Sequence, residues 1–227
     1  MPDQNPITAA YSALIHDVKN SLGLMTSELD GIAAQLEPNQ TDALQRINRL
    51  SLESARMNNV LMNLLGLQRQ DAGKLVINVQ EALVVDVFED VVARYQRMAA
   101  QLNVTLSMAC SEDLAWFFDP MQVESILNNV VTNAIRYTNS TIHLTAFIEQ
   151  VAGHDMLCIQ VTDDGRGYPQ ALIEGLTGPS TINMATGSTG LGLYLSEKVA
   201  NMHEKNGICG KIQLSNEEGA HFRLWLP

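Results

Sequence analysis

The chain has 227 residues, of which 46% are hydrophobic and 17% charged, and its formal net charge is −11. Such a composition is too hydrophobic for a disordered chain, and the length allows one large domain or two small ones. The negative charge argues against nucleic acid and anionic membrane surfaces as partners, because both attract Lys and Arg.

Cysteine usage and the start of the chain bear on the compartment. Cys110, Cys158 and Cys209 are far apart and form no C-x-x-C pair, so neither a metal site nor a redox couple is indicated. The N-terminal region lacks the basic and apolar parts of a signal peptide, and no stretch approaches the roughly 18 apolar residues of a membrane span. We therefore expect a cytoplasmic chain without a membrane segment.

The first part of the chain, residues 1–72, has the apolar spacing of paired helices. Apolar residues alternate at spacings of four and three, Pro38 ends the first run, and Asn39 or Thr41 can cap the second. The stripe residues are Tyr11, Ile15, Val18, Leu22, Met25, Leu29, Ile32 and Leu36, then Ile47, Leu50, Ser54, Met57, Leu61 and Leu64. This pattern predicts an antiparallel helical hairpin. Because a lone hairpin cannot bury both stripes fully, we expect a homodimeric four-helix bundle.

His16 lies one position off this stripe, and Asn20 follows one turn later on the same helix face. We therefore expect His16 to be at least partly exposed. Taken alone, the pattern is equally typical of a solvated helix face that carries a histidine.

Residues 73–227 alternate between β-rich and helical patterns, which predicts an α+β fold with a mixed sheet covered by helices on one side. Asp119 and Pro120 are typical of an N-cap followed by the first helical residue. Strands are predicted at residues 74–80, 104–110, 114–119, 141–150, 156–162, 211–215 and 221–226, and helices at residues 83–102, 120–137 and 191–203.

Three polar or glycine-rich motifs interrupt this second part. Asn129 and Asn133 lie one turn apart on a predicted helix, which asparagine disfavours; they are either surface residues or amide ligands for a cation. The sequence Asp163-Asp164-Gly165-Arg166-Gly167 ends a strand, and a tight turn alone would explain its glycines. The sequence Gly187-Ser188-Thr189-Gly190-Leu191-Gly192-Leu193 runs into a helix, whose free N–H groups attract phosphate, but no P-loop motif occurs.

Taken in order, these motifs resemble the four conserved boxes of sensor histidine kinases. They are His16-Asp17-Val18-Lys19-Asn20 (H box), Asn129-Val130-Val131-Thr132-Asn133-Ala134 (N box), Asp163-x-Gly165-x-Gly167 (G1 box) and Gly190-Leu191-Gly192-Leu193 (G2 box). The resemblance implies a dimerisation and histidine phosphotransfer hairpin followed by an α/β-sandwich ATP-binding domain of the GHKL type. It also implies ATP and Mg²⁺ as cofactors and a response-regulator receiver domain as partner.

The resemblance further implies roles for individual positions. His16 is the expected phosphoacceptor, Asp17 the proton acceptor at its other ring nitrogen, and Asn20 the residue of a regulator phosphatase reaction. Asn133 is expected to bind Mg²⁺, and Asp163 to accept the adenine amino group. The other expected nucleotide contacts are Asn129, Arg136, Tyr137, Gly165, Gly167, Thr189, Gly190, Leu191 and Gly192.

The chain departs from the family pattern at three places, and two alternatives stay open. Ser21 stands where proline is usual, no phenylalanine lies between Gly167 and Gly187, and no sensor segment precedes His16. The alternatives are a phosphotransfer protein or dimeric scaffold with a weakened ATP domain, and a gyrase-type ATPase. That last branch usually has a glutamate where this chain has Asn129.

Overall fold

A computed structural model describes residues 6–37, 40–71, 76–175 and 191–227. The chain separates into two compact units, Met1–Leu75 and Val76–Pro227. Within the described ranges, no helix combines the length and the apolar character needed to cross a membrane.

The first unit is a helical hairpin. Helices α1 (Pro6–Gln35) and α2 (Thr41–Asp71) pack against each other along their length. Helix α1 continues through Ser21, which keeps the backbone N–H that proline would lack, and the Ser21 hydroxyl donates to the Asp17 carbonyl at 3.0 Å. The departure from the family pattern at Ser21 thus leaves the helix uninterrupted.

The apolar stripe of the hairpin is covered on one side and open on the other. Leu22 and Ser54 are only 7% and 5% exposed, and the Ser54 hydroxyl donates to the Leu22 carbonyl of the opposite helix. Six other stripe residues are 39–57% exposed: Val18, Met25 and Ile32 of α1, and Leu50, Met57 and Leu64 of α2. Of the described stripe residues, one hairpin therefore fully buries only Leu22 and Ser54, and the remainder are exposed or partly exposed.

The second unit contains a mixed five-stranded sheet in the order β2-β4-β5-β9-β8, in which only β2 and β4 run parallel. The elements in chain order are β1 (Gln80–Leu83), α3 (Val84–Gln101), β2 (Thr105–Ala109), β3 (Ala115–Phe118), α4 (Pro120–Tyr137), β4 (Thr141–Val151), β5 (His154–Asp163), α5 (Gln170–Ile173), α6 (Leu191–Met202), β6 (Glu204–Lys205), β7 (Ile208–Cys209), β8 (Lys211–Asn216) and β9 (Ala220–Leu226). Strands β1 and β3 form a separate pair, as do β6 and β7.

The core lies between one face of this sheet and helices α3, α4 and α6. The central strands β5 and β9 meet there through cross-strand pairs in which every residue is at most 2% exposed: Leu157 with Leu226, Ile159 with Leu224, and Val161 with Phe222. Each such side chain contributes roughly 1.5–3 kcal/mol on burial. The predicted mixed sheet with helices packed on one face is confirmed.

The Asp119 side chain caps the start of α4 and also binds the backbone of residue 78. Its Oδ1 accepts the Gln122 N–H at 3.1 Å, so the predicted N-cap is present. Its Oδ2 accepts the Asn78 N–H at 2.8 Å. The strand predicted at residues 74–80 is wrong over residues 76–79, which lie outside any strand, because the Asn78 N–H donates to this side chain instead; Gln80 is the first residue of β1. The β6–β7 hairpin and the short α5 were not predicted.

His203, at the end of α6, is a buried histidine that connects two elements. Its Nδ1 lies 2.8 Å from the Val199 carbonyl and must donate, so Nε2 accepts the Asp119 N–H at 3.0 Å. Burial, which disfavours the charged form, lowers the pKa of His203. The folded protein therefore holds this imidazole neutral.

This arrangement predicts an acid-sensitive contribution to stability. Because the folded pKa lies below the unfolded value of about 6.5, the contribution is complete above pH ~6.5 and is lost as pH falls towards the folded pKa. Between pH 7.5 and 5.5, urea unfolding should show wild type losing up to about 1.4 kcal/mol more than His203→Gln. The exposed His154→Gln should lose stability as wild type does. Equal losses in wild type and His203→Gln would contradict the assignment.

Candidate functional site

A cleft in the second unit lies between α4, the end of β5 and the start of α6. Its described lining residues are Asn133, Ala134, Tyr137, Asp163, Arg166, Gly167, Tyr168, Pro169, Leu172, Leu193 and Ala220. Three of the predicted motifs, those around Asn133, Asp163 and Gly192, therefore converge on one region.

Two asparagines of α4 face this region one turn apart. Asn133 lines the cleft, and Asn129 packs against Gly192 at the start of α6 so closely that a Cβ there would overlap the Asn129 amide. The Asn129 Nδ2 is buried and has no hydrogen-bond partner among the residues that the structure describes. A glycine is thus needed at position 192, and a polar amide is left for a ligand.

Asp163 presents one carboxylate oxygen to the cleft. Its Oδ1 accepts the N–H groups of Gly165 at 2.8 Å and Ala220 at 3.3 Å. Oδ2 is the oxygen that remains for a ligand donor. Burial raises the pKa of Asp163, while the two N–H groups oppose that rise. Backbone contacts therefore orient this carboxylate before any ligand arrives.

Gly165 allows the end of β5 to approach the end of α4. A Cβ at this position would lie 2.8 Å from the Tyr137 carbonyl carbon and 2.9 Å from Asp163 Oδ1. Any side chain would push these backbones apart and widen the cleft. The close approach gives a physical reason for a glycine in the motif.

Asp164, directly after Asp163, ties the same two elements together. Its carboxylate accepts hydroxyl donors from Thr138 at 2.5 Å and Ser140 at 2.6 Å, and N–H groups of residues 139–141 at 2.8–3.1 Å. These donors hold the pKa of Asp164 well below its usual range. The loop after α4 is therefore fixed to the end of β5 by a charged side chain.

Tyr137 closes the cleft at the last turn of α4. The Arg166 guanidinium lies 4.4 Å from the centre of its ring and that of Arg136 lies 5.3 Å away, both within cation–π range. Arg166 also lines the cleft, whereas Arg136 is not among the described lining residues. The ring and one arginine thus form a wall that an aromatic base could contact.

Most of the predicted site residues of the second unit lie at the cleft. Asn133, Tyr137, Asp163 and Gly167 line the cleft, and Gly165, Asn129 and Gly192 shape it. Leu191 is buried at the start of α6, and Thr189 and Gly190 lie outside the described residues. His16, Asp17 and Asn20 lie on α1 in the first unit, where Asp17 and Asn20 are exposed and the His16 side chain is outside the description.

Sequence reasoning missed several residues that shape the cleft. Asp164 lies directly before Gly165 in the predicted turn, and a carboxylate at such a turn could have been recognised as a hydrogen-bond acceptor for nearby backbone groups. Tyr168 and Asn216 come together across 48 positions, and no local pattern indicates that contact.

Comparison with known proteins shows which proteins the chain resembles. Residues 118–227 match the family model of histidine kinase-, DNA gyrase B- and HSP90-like ATPases. More particularly, the chain is homologous to sensor histidine kinases. It is 29% identical to the sensor protein kinase PilS of Pseudomonas aeruginosa over 223 residues, which is 94% of this chain and 39% of that protein.

Two solved structures share the fold. The histidine kinase AdeS of Acinetobacter baumannii matches with a TM-score of 0.59 and 19% identity, over 93% of this chain and 96% of that one. Full-length ShkA in complex with AMPPNP matches with a TM-score of 0.63 and 17% identity, over 96% of this chain and 45% of that one. The two structures show the fold, and the match to the ATPase family model supports ATP binding by the second unit.

The contact between Gly192 and Asn129 gives a direct test of the site. Gly192→Ala should weaken ATP binding by about tenfold, because the new methyl group must displace the Asn129 amide, although alanine favours helix. Calorimetric titration with ATP and Mg²⁺ measures the change. Gly31→Ala, in open space on α1, is the matched control and should leave affinity unchanged. Wild-type affinity in Gly192→Ala would show that the contact does not matter for binding.

Proposed function

We propose that this chain is the cytoplasmic catalytic core of a two-component histidine kinase, which phosphorylates His16 with ATP and passes the phosphoryl group to an aspartate of a response-regulator receiver domain. The observation that carries the proposal is a cleft with Asn133 and Asp163 in an ATPase domain, joined in one chain to a helical hairpin with His16. The chain spans 39% of PilS, so the signal input of a complete protein lies beyond this proposal.

The chemistry of the first step suits a histidine at neutral pH. An imidazole with a pKa near ~6.5 is largely neutral, and one ring nitrogen is a free nucleophile. That nitrogen bonds to the γ-phosphorus of ATP as the bond to the bridging oxygen breaks and ADP leaves. Asp17, the exposed neighbour on α1, accepts the proton of the other ring nitrogen and fixes the tautomer. Phosphoryl transfer then depends mainly on positioning and charge neutralisation.

The α4 asparagines fit the Mg²⁺ that accompanies ATP. Mg²⁺ takes oxygen ligands, which asparagine amides provide, and it neutralises phosphate charge when bound. Asn133 lines the cleft, and the atom of the buried Asn129 amide that has no partner among the described residues is Nδ2, which is a donor for a phosphate or amide oxygen and not a ligand for the metal. We assign Asn133 as the metal ligand and Asn129 as its support. The other predicted contacts keep their roles: Arg136 at phosphate, Tyr137 at adenine, and Gly165, Gly167, Thr189, Gly190, Leu191 and Gly192 as backbone contacts.

The open side of the hairpin stripe supports a homodimer. Six apolar side chains that are 39–57% exposed continue a helical pattern on both helices. Their burial against a second copy would contribute roughly 0.5–1.5 kcal/mol each, since about half of each side chain is still in solvent. A four-helix bundle buries both hairpins' open faces at once.

The phosphoacceptor has a specific chemical signature. Incubation with labelled ATP and Mg²⁺ should give a phosphoprotein that is labile in acid and stable in base, and His16→Gln should abolish the label. His154→Gln, at the exposed first residue of β5, is the control and should label normally. Undiminished label in His16→Gln would overturn the assignment, and absence of ATP binding by wild type would favour the scaffold alternative.

Asn20 is the residue on which we base a proposed phosphatase activity. It lies one turn after His16 on α1, so its amide can orient a water towards an aspartyl phosphate docked on the same face. Asn20→Ala should therefore lose most phosphatase activity and keep much of the autokinase activity. A time course of phospho-regulator decay, with Ser27→Ala as control, measures this. Decay at the same rate with wild type and without added kinase would remove the phosphatase claim.

A further inference from the structure

Tyr168 occupies the cleft beside Asp163 and has a side chain able to recognise a ligand. It lines the cleft together with Asp163, and burial, followed by the charge of Asp163, raises the pKa of Tyr168. The phenol is therefore protonated at neutral pH and is a hydrogen-bond donor. Among the described residues, no hydrogen bond of its hydroxyl is found.

Asn216 holds Tyr168 in this place through both backbone groups. Its Oδ1 accepts the Tyr168 N–H at 2.8 Å and its Nδ2 donates to the Tyr168 carbonyl at 3.0 Å. Gly167, with φ of +77°, lies against the same amide, where a Cβ would come within 2.6 Å of Asn216 Oδ1. The end of β8 thus fixes the backbone that carries the phenol, although Asn216 itself is exposed.

A carboxylate next to a protonated phenol presents an acceptor beside a donor. The amino group of adenine is a donor flanked by two ring nitrogens that accept, N1 and N7. When the adenine amino group donates to Asp163 Oδ2, a ring nitrogen on each side of that amino group can accept a hydrogen bond from a neighbouring O–H. An acceptor and a donor that line one cleft are the chemical complement of this edge of adenine.

We propose that Tyr168 is an adenine-binding residue of this cleft, whose hydroxyl donates to a ring nitrogen next to the amino group, and that Asn216 is its positioning residue. The inference rests on the proposed nucleotide site and adds a second base contact to it. It also gives the exposed Asn216 amide a function at a distance from the base.

Tyr168→Phe removes the hydroxyl and keeps the ring. Calorimetry should show ATP binding weakened about fivefold, the scale of one hydrogen bond. Wild type should lose a similar factor with either 1-deaza-ATP or 7-deaza-ATP, whichever lacks the accepting nitrogen, and Tyr168→Phe should lose no more with that analogue. Tyr95→Phe, the same chemical change on α3, should bind all three nucleotides as wild type does.

Asn216→Ala tests the positioning role. It should reproduce the Tyr168→Phe pattern, with weaker ATP binding and no discrimination against the deaza analogue. Asn216→Asp, which keeps the acceptor for the Tyr168 N–H and loses the donor, should be intermediate. Gln213→Ala on the same strand is the control. A purely structural role for Asn216 would lower the melting temperature but leave the discrimination intact.

The outcomes separate this inference from the proposed function. Absence of ATP binding by wild type would contradict the proposed nucleotide site as a whole. ATP binding that is equal in wild type and Tyr168→Phe would overturn only the role of Tyr168. Weaker binding of Tyr168→Phe with undiminished discrimination against both deaza analogues would also overturn it, because the hydroxyl would then not contact a ring nitrogen.

Discussion

The nucleotide cleft depends on the tie between the end of α4 and the end of β5. Asp164 makes that tie with five hydrogen bonds to residues 138–141. Helix α4 carries Asn133 and strand β5 carries Asp163, so this junction sets the distance between the proposed metal ligand and the proposed base contact. Gly165 brings the junction to its closest approach at the Tyr137 carbonyl. A carboxylate accepting several donors is stiffer than a loop of backbone contacts alone, which suits a site that must be ready before its ligand binds.

The sequence predicted most of the fold because its signals are local. Helix α4 was predicted at its observed bounds, since an Asp119 cap and Pro120 mark its start. The strand prediction was wrong at residues 76–79 because Val76, Ile77 and Val79 are β-branched, as strand residues often are. The carboxylate of Asp119, 41 positions from Asn78, takes the backbone donor instead. Periodicity cannot reveal a competitor that far along the chain.

The same limit applies to the cleft. Asn133 and Asp163 are in motifs whose order along the chain is informative, so they could be named from the sequence. Tyr168 and Asn216 are in no such motif. In the sequence, an asparagine that binds both backbone groups of a distant residue cannot be distinguished from any other asparagine at the end of a strand. Residues that act through long-range contacts are thus found only once the fold is known.

The composition of the hairpin favours association with another chain over stability as a monomer. Its interior contains the buried polar residues Asn48, Ser51, Ser54 and Asn63, and the hydroxyls of Thr26 and Ser54 lie 2.9 Å apart across the two helices. Polar rungs of this kind fix the register of paired helices while contributing less burial energy than leucine would. The apolar residues that could compensate, such as Met25 and Met57, are on the open side. In the proposed homodimer, the stability of the hairpin should then come largely from the second copy, which would couple the folding of the segment that carries His16 to dimer formation.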